Sequence, residues 1–283
     1  MRILVAGASG LVGGACFRGA REAGHEVAGT YHTHPAENFV PLELGSEEAI
    51  VRLMKSFAPE AVVCCAGWTW VDGCESDRDR AFRENCEQPA RLAHAAADGG
   101  AKFVHFSTSY VFDGQHGPYA EHATPNPICI YGHAKLAGEN AVTDATDGNA
   151  IIARTMGVYG EEVRRKNFVY QVRDHLSSGR RMRVPADQCG NASYAGDLAE
   201  AVLRLLASGA TGIWNLAGPE PGLSRKDFAL RIARAYGLDE TLFDFVSTAG
   251  LRQPAARPLQ GGLRIDRMRE ELKMNPRDWV RIP

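Results

Sequence analysis

MRILVAGASGLVG, residues 1–13, opens the chain and decides how the rest is read. Arg2 to Ala6 is a short apolar run, β-branched at Ile3 and Val5. It meets glycine before a helix could form, so it reads as a buried strand. Gly7, Gly10 and Gly13 follow at three-residue spacing, and an apolar pattern of helical period runs from Leu11 to Arg21. A strand, a glycine turn and a helix in that order make a seat for a dinucleotide pyrophosphate. The first glycine permits the tight turn, the second lets the backbone approach the phosphates, and the third lets helix close on strand. The helix N-terminus then presents free N–H groups and the positive end of its dipole. The unit predicts a cofactor site at Gly7, Ser9, Gly10, Leu11, Val12 and Gly13.

Around this unit lie 283 residues, 45% hydrophobic and 23% charged, with a net charge of −2. That is a globular composition, sufficient for a large α/β domain and a smaller lobe. The near-neutral balance gives no reason to expect nucleic acid or an anionic membrane as partner. Cys16, Cys64, Cys65, Cys74, Cys86, Cys129 and Cys189 form an odd set without a C-x-x-C pair. Neither a disulfide framework nor a zinc site is expected from them, and a reducing compartment is. The apolar start is too short for a signal peptide or a membrane span. A cytoplasmic protein without a metal site is the expectation.

Glu26 to Thr30 reads as the second strand. About twenty residues beyond the glycine turn, an NAD-binding unit usually places an acid on the ribose 2′-hydroxyl. Here that place reads Thr30-Tyr31-His32-Thr33-His34, and no carboxylate follows until Glu37. The missing acid removes a repulsion against a 2′-phosphate, which His32 or His34 could contact, and Tyr31 and His32 are the candidate cofactor residues. A polar loop with two solvated histidines is the competing reading. NADP(H) is expected, with NAD(H) as the alternative.

Ala61 to Cys65 reads as the next strand, and Ala66-Gly67-Trp68-Thr69-Trp70-Val71-Asp72 leaves its carboxyl end. Ligands bind at that end in open α/β sheets, so Trp68 and Trp70 are either core packing or ligand contacts. Arg78 to Ala97 reads as a helix holding Asn85, kinked or restarted at Pro89. A strand from Ala101 to Phe106 runs into Ser107-Thr108-Ser109-Tyr110, hydroxyls well placed to touch a substrate. Tyr131-Gly132-His133-Ala134-Lys135 then opens a helix, with Tyr131 and Lys135 on one face. A protonated lysine there lowers the phenol's pKa from about 10 toward the working range. Such a pair arises easily by chance and gains weight from following the hydroxyl cluster by one strand–loop unit. Arg180, Arg181 and Arg183 are either a solvated turn or a contact to a substrate phosphate. Ser224 with Asp227 caps a helix running to Tyr236.

Glycine loop, hydroxyl cluster and Tyr-x-x-x-Lys in this order resemble an extended short-chain dehydrogenase/reductase. Ser107-Thr108-x-Tyr110-Val111-Phe112-Asp113-Gly114, Tyr131-Gly132-x-x-Lys135-Leu136-Ala137-Gly138-Glu139 and Arg154-Thr155-x-x-Val158-Tyr159-Gly160 are similar to the dTDP-4-dehydrorhamnose reductase group. So are Asn167-Phe168, Asp187-Gln188 and Arg257-Pro258, and the similarity runs from Met1 to about Arg264. The resemblance implies an α/β fold, a Rossmann-type doubly wound parallel sheet of order 3-2-1-4-5-6-7 with a small α/β C-terminal substrate-binding lobe. Residues 1–156 plus 191–218 would form the NAD(P)-binding domain, and 157–190 plus 219–283 the lobe.

The resemblance also implies the chemistry. Hydride from NADP(H) goes to the keto group of a nucleotide-linked deoxysugar, Tyr131 donates the proton, and Thr108 hydrogen-bonds the oxygen. Lys135 holds the nicotinamide ribose and tunes Tyr131. The implied cofactor site extends to Cys65, Ala66, Gly67 and Asn85. The implied substrate site takes in Trp68, Trp70, Ser109, Tyr110, Met156, Gly157, Asn167 and Arg257. Ser109 stands where the group has aspartate, and Met156 and Gly157 where it has serine and tryptophan. These departures predict an altered sugar. Two other readings share the scaffold: a nucleotide-sugar epimerase or dehydratase with retained NAD, and a cofactor-binding regulatory protein similar to the methionine adenosyltransferase β subunit. A homodimer is left open.

Overall fold

The computed structural model describes residues 1–283. Its frame is β1 (Arg2–Ala6), β2 (Glu26–Tyr31), β3 (Phe39–Pro41), β4 (Ala61–Cys64), β5 (Lys102–Thr108), β6 (Ile151–Thr155) and a last strand, Gly212–Asn215. Across the sheet the order is β3, β2, β1, β4, β5, β6 and Gly212–Asn215, the order expected from the sequence. All neighbours pair in parallel. The order reverses between β1 and β4, which opens a crevice at their carboxyl ends. The short edge strand β3 escapes a sequence reading because it is three residues long and ends in proline.

Successive strand residues point to opposite faces, and both faces are covered, so β1 and β4 are apolar without alternation. Ile3, Val5 and Val63 pack against α1 (Leu11–Glu22) and the helix Ala195–Ser208. Leu4, Ala6 and Val62 pack against α2 (Glu47–Phe57) and the helices Gln88–Asp98 and Ile130–Ala145. A separate, smaller core gathers Tyr159, Phe168, Val172, Phe228, Ile232, Phe243 and Ile282 into a lobe beside the crevice. Leu263, Ile265, Met268, Leu272 and Met274 pack into the large core instead. The assignment of all of 219–283 to the lobe is therefore crossed by a segment that returns to the main sheet, where its apolar spacing buries it beside Trp214.

The helix expected over Arg78–Ala97 is broken into Arg78–Phe82, a wide π turn over Arg83–Glu87, and Gln88–Asp98. Pro89 has no N–H to offer the carbonyl of Asn85, and its ring crowds that carbonyl. The freed oxygen lies against Gly138, where a Cβ would come within 2.2 Å of it. Single π turns recur at functional sites. All seven cysteines are free thiols, and no helix is long and apolar enough to cross a membrane.

Candidate active site

At the carboxyl end of β1 the chain turns through Gly7 and enters α1 after Gly10. Gly13 closes so tightly on this turn that a Cβ there would stand 2.2 Å from the Gly7 carbonyl oxygen. No side chain caps the helix at Gly10. The N–H groups of the first turn are left for an anion, which fits a dinucleotide pyrophosphate. A cavity of about 580 Å³ begins here, walled by Gly10, Leu11, Val12 and Gly13. It continues past Cys65, Ala66, Gly67 and Asn85 to Thr108, Tyr131 and Lys135. Gly7 and Ser9 shape the turn without walling the cavity.

Tyr31 and His32 lie outside this cavity. His32 Nε2 is 2.6 Å from Glu43 Oε2. A carboxylate therefore does reach this end of β2, brought by the segment after β3 rather than by local sequence. The backbone N–H of Gly45 and the neighbouring His32 hold the Glu43 carboxyl below its usual pKa.

Asn85, delivered by the π turn, spends its amide on the backbone of the Trp68 loop. Its Oδ1 accepts from Trp68 N at 3.1 Å and its Nδ2 donates to Trp68 O at 3.0 Å. The tryptophans expected at the substrate do not wall the cavity. Trp68 packs beside Cys74 and Tyr131, with the Arg80 guanidinium 4.2 Å from its ring centroid. Trp70 is 64% exposed.

Three residues of the Ile130–Ala145 helix, spaced by four, face β5 in a polar ladder. Tyr131 meets the Thr108 side chain. Lys135 Nζ donates to Phe106 O at 2.6 Å and stands 3.1 Å from His105 Nε2. Glu139 accepts from Ser107 Oγ at 2.5 Å and from Arg154 Nε and Nη2 at 2.9 and 2.6 Å. All of these side chains are buried. Burial raises the Tyr131 phenol above its ordinary pKa, with the Thr108 hydroxyl opposing. Burial lowers the Lys135 ammonium to about 8. The lowering of Tyr131 expected from Lys135 is thus outweighed, because the ammonium is drawn onto β5 and the phenol sits in a dry setting. Tyr131 remains protonated across neutral pH, the state required of a proton donor.

Beyond the phenol, Ser109 Oγ is buried without a hydrogen-bond partner, and the Tyr110 ring meets Tyr131 edge-on at 5.6 Å. Gly157 has φ +55°, and a Cβ there would stand 2.2 Å from the Asn191 carbonyl oxygen. No tryptophan can occupy this position without moving that backbone. Met156 packs on Gly190, its Cε 1.9 Å from where a Cβ on that glycine would fall. Asn167 Nδ2 donates to Gly160 O and Glu162 Oε1 at 2.9 and 2.8 Å, leaving its buried Oδ1 unpartnered at the cavity wall. Arg257, expected at the substrate, is behind the wall in an ion pair with Asp72 at 2.8 Å. Arg183 pairs with Asp244 at 3.8 Å, away from the cavity, in keeping with a solvated turn.

Arg225 is the residue that sequence reasoning missed. It walls the cavity, lies 3.9 Å from the Phe168 ring centroid and has no carboxylate partner. Burial, together with nearby Arg257, holds its pKa below the usual value. An available signal was its place in the first turn of a helix, where a cation opposes the dipole and asks for an anion in return.

The family model described as RmlD substrate binding domain matches residues 1–281. A curated protein from Haloferax volcanii, "Probable low-salt glycan biosynthesis reductase Agl14", is 36% identical over 96% of this chain and 92% of that protein. The solved structure of a dTDP-4-dehydrorhamnose reductase from Clostridium acetobutylicum superposes with TM-score 0.87 and 31% identity, over 100% of this chain and 95% of that one. The dTDP-4-dehydrorhamnose reductase from Bacillus anthracis, solved in complex with NADP, gives TM-score 0.88 and 26% identity over 97% of this chain and 94% of that one.

Proposed function

The chain belongs to the RmlD substrate binding domain family, and on that premise we propose that it is an NADPH-dependent reductase of the keto group of a nucleotide-linked deoxysugar. One observation carries this reading: Thr108, Tyr131 and Lys135 wall the same cavity as the uncapped glycine turn, Asn167 and Arg225. The first turn of α1 would hold the cofactor pyrophosphate, and Lys135 the nicotinamide ribose. NADPH, when bound, supplies the hydride. Tyr131 gives its proton to the sugar oxygen, and Thr108 donates a hydrogen bond to that same oxygen. Arg225, a cation with no carboxylate partner, faces the nucleotide's phosphates. The epimerase, dehydratase and regulatory readings are not favoured, since the relatives named above are reductases.

Ser109 and Met156 support a change of sugar. A neutral hydroxyl replaces a charge-assisted acceptor, a bond worth about 1.5–3 kcal/mol, and Gly157, beside Met156, stands where a tryptophan would face the ring. A sugar with fewer hydroxyls on that side fits both. Turnover of a panel of nucleotide-linked keto-deoxysugars with NADPH tests the reading. No turnover of any member overturns it. A kcat/KM for dTDP-4-dehydrorhamnose of about 10⁴ M⁻¹s⁻¹ or above retains the reductase and removes the altered sugar.

Cofactor choice follows from the Glu43–His32 contact. NADPH is expected to bind more tightly than NADH by a modest margin, because Thr30–His34 holds no acid and the Glu43 carboxylate that reaches this end of β2 is engaged by His32 and Gly45 N–H. Glu43→Gln removes the remaining repulsion and should widen the margin about two- to fivefold, the worth of an exposed charge contact. Tyr31→Asp adds repulsion and should reverse the preference. Titration calorimetry with both cofactors decides, and equal affinities in the parent protein contradict the expectation.

A further inference from the structure

We propose that His105 is a positioning residue for Lys135, a neutral imidazole at the floor of the site that takes one N–H of the ammonium and leaves another aimed at the cavity. This rests on the reductase reading only for its use in catalysis; the contact itself stands on geometry. His105 is 0% exposed and Lys135 5% exposed. Its ring nitrogen Nε2 is 3.1 Å from Lys135 Nζ, while Phe106 O takes a second N–H at 2.6 Å.

An ammonium can only donate, so Nε2 must be the bare nitrogen and the ring proton sits on Nδ1. That nitrogen is buried with no partner. Leaving a buried donor unpaired is unfavourable. At a strand position flanked by Cys64 and Ile152, an aliphatic side chain would avoid the penalty altogether. The contact to Lys135 is what the imidazole gains in exchange.

Burial and the adjacent ammonium both push His105 well below its ordinary pKa, so it stays an acceptor. The other titratable groups around Lys135 are Tyr131 one turn back on the same helix, the thiols of Cys64 and Cys65 at the end of β4, Cys86 on the π turn, and Glu139 one turn along the helix. Glu139 is engaged by Ser107 and Arg154. His105 is therefore the side chain that receives the ammonium. With Phe106 O it fixes two of three N–H directions, and the third is left for a ligand in the cavity that Lys135 walls. An acceptor bonded to the charged form favours that form. Removing His105 should therefore loosen Lys135 and lower its pKa further.

Competitive acetylation with trace acetic anhydride across a pH series, read at Lys135 by peptide mass spectrometry, measures this without cofactor or substrate. The parent midpoint is expected near 8. His105→Leu should move it down by about one unit, and the alkaline fall of kcat/KM should begin correspondingly earlier. His105→Gln, which restores an acceptor, should hold both near the parent. If the leucine variant does not fold, His105→Met takes its place. An unmoved midpoint in the apolar variant overturns the proposal, as does an equal shift in the glutamine variant. A protein that reduces no keto-sugar defeats the reductase reading, while the acetylation midpoint still decides the role of His105.

Discussion

Replacing Tyr131 by phenylalanine is expected to lower kcat about 10²-fold or more, with little change in NADPH affinity. The ring is kept, so its packing beside Cys74, Cys129 and Ala134 survives, as does its edge-on contact with Tyr110. What is lost is the one transferable proton facing Thr108. Because burial raises the phenol's pKa, deprotonation of Tyr131 does not limit the rate near neutral pH. The alkaline limb instead belongs to Lys135, whose pKa is lowered to about 8: activity is present below that value and is lost as pH rises through it. Steady-state loss of NADPH absorbance and a separate binding titration check both statements. Near-normal turnover by the phenylalanine variant would remove Tyr131 from the chemistry.

Arg154→Met is expected to cost about 3–5 kcal/mol of stability, enough to lower Tm by roughly 10 °C in a chain of this size. The Arg154 and Glu139 side chains are 2% and 4% exposed and meet at 2.6 Å. Removing the guanidinium strands a carboxylate in a dry layer with the Ser107 hydroxyl as its remaining hydrogen bond. The double variant Arg154→Met/Glu139→Gln leaves no buried charge and should recover much of the loss. Denaturant titrations of parent, single and double variants provide the measurement. A single-variant loss below about 1 kcal/mol would mean that the pair behaves like an exposed one.

The features legible in the sequence are those that the chain encodes over a few residues. Gly7, Gly10 and Gly13 announce the turn because strand, turn and helix are contiguous, and the spacing of Tyr131 and Lys135 puts them on one helical face. Pro89 marked a break in its helix, although the π geometry that turns Asn85 inward depends on Gly138 some fifty residues away. Contacts set by distant segments left no local trace. Glu43 reaches His32 only because β3 lies beside β2. The Asn191 carbonyl that bars a side chain at Gly157 comes from another part of the chain. The retreat of Trp68 from the cavity needs Asn85, and the withdrawal of Arg257 needs Asp72. The departures at Ser109, Met156 and Gly157 could be seen in the sequence, but only the folded backbone shows that Met156 packs on Gly190.

The ladder between β5 and the Ile130–Ala145 helix works as a register lock. Tyr131, Lys135 and Glu139 all have their counterparts on or beside the strand, and a helix that slipped by a single residue would rotate by about 100° and lose all three sets together. The phenol is therefore aimed by the same contacts that seat the helix in the sheet. Heating should then abolish turnover together with the global fold and not ahead of it, and a stabilising change elsewhere in the large core should extend the working temperature without blunting the site.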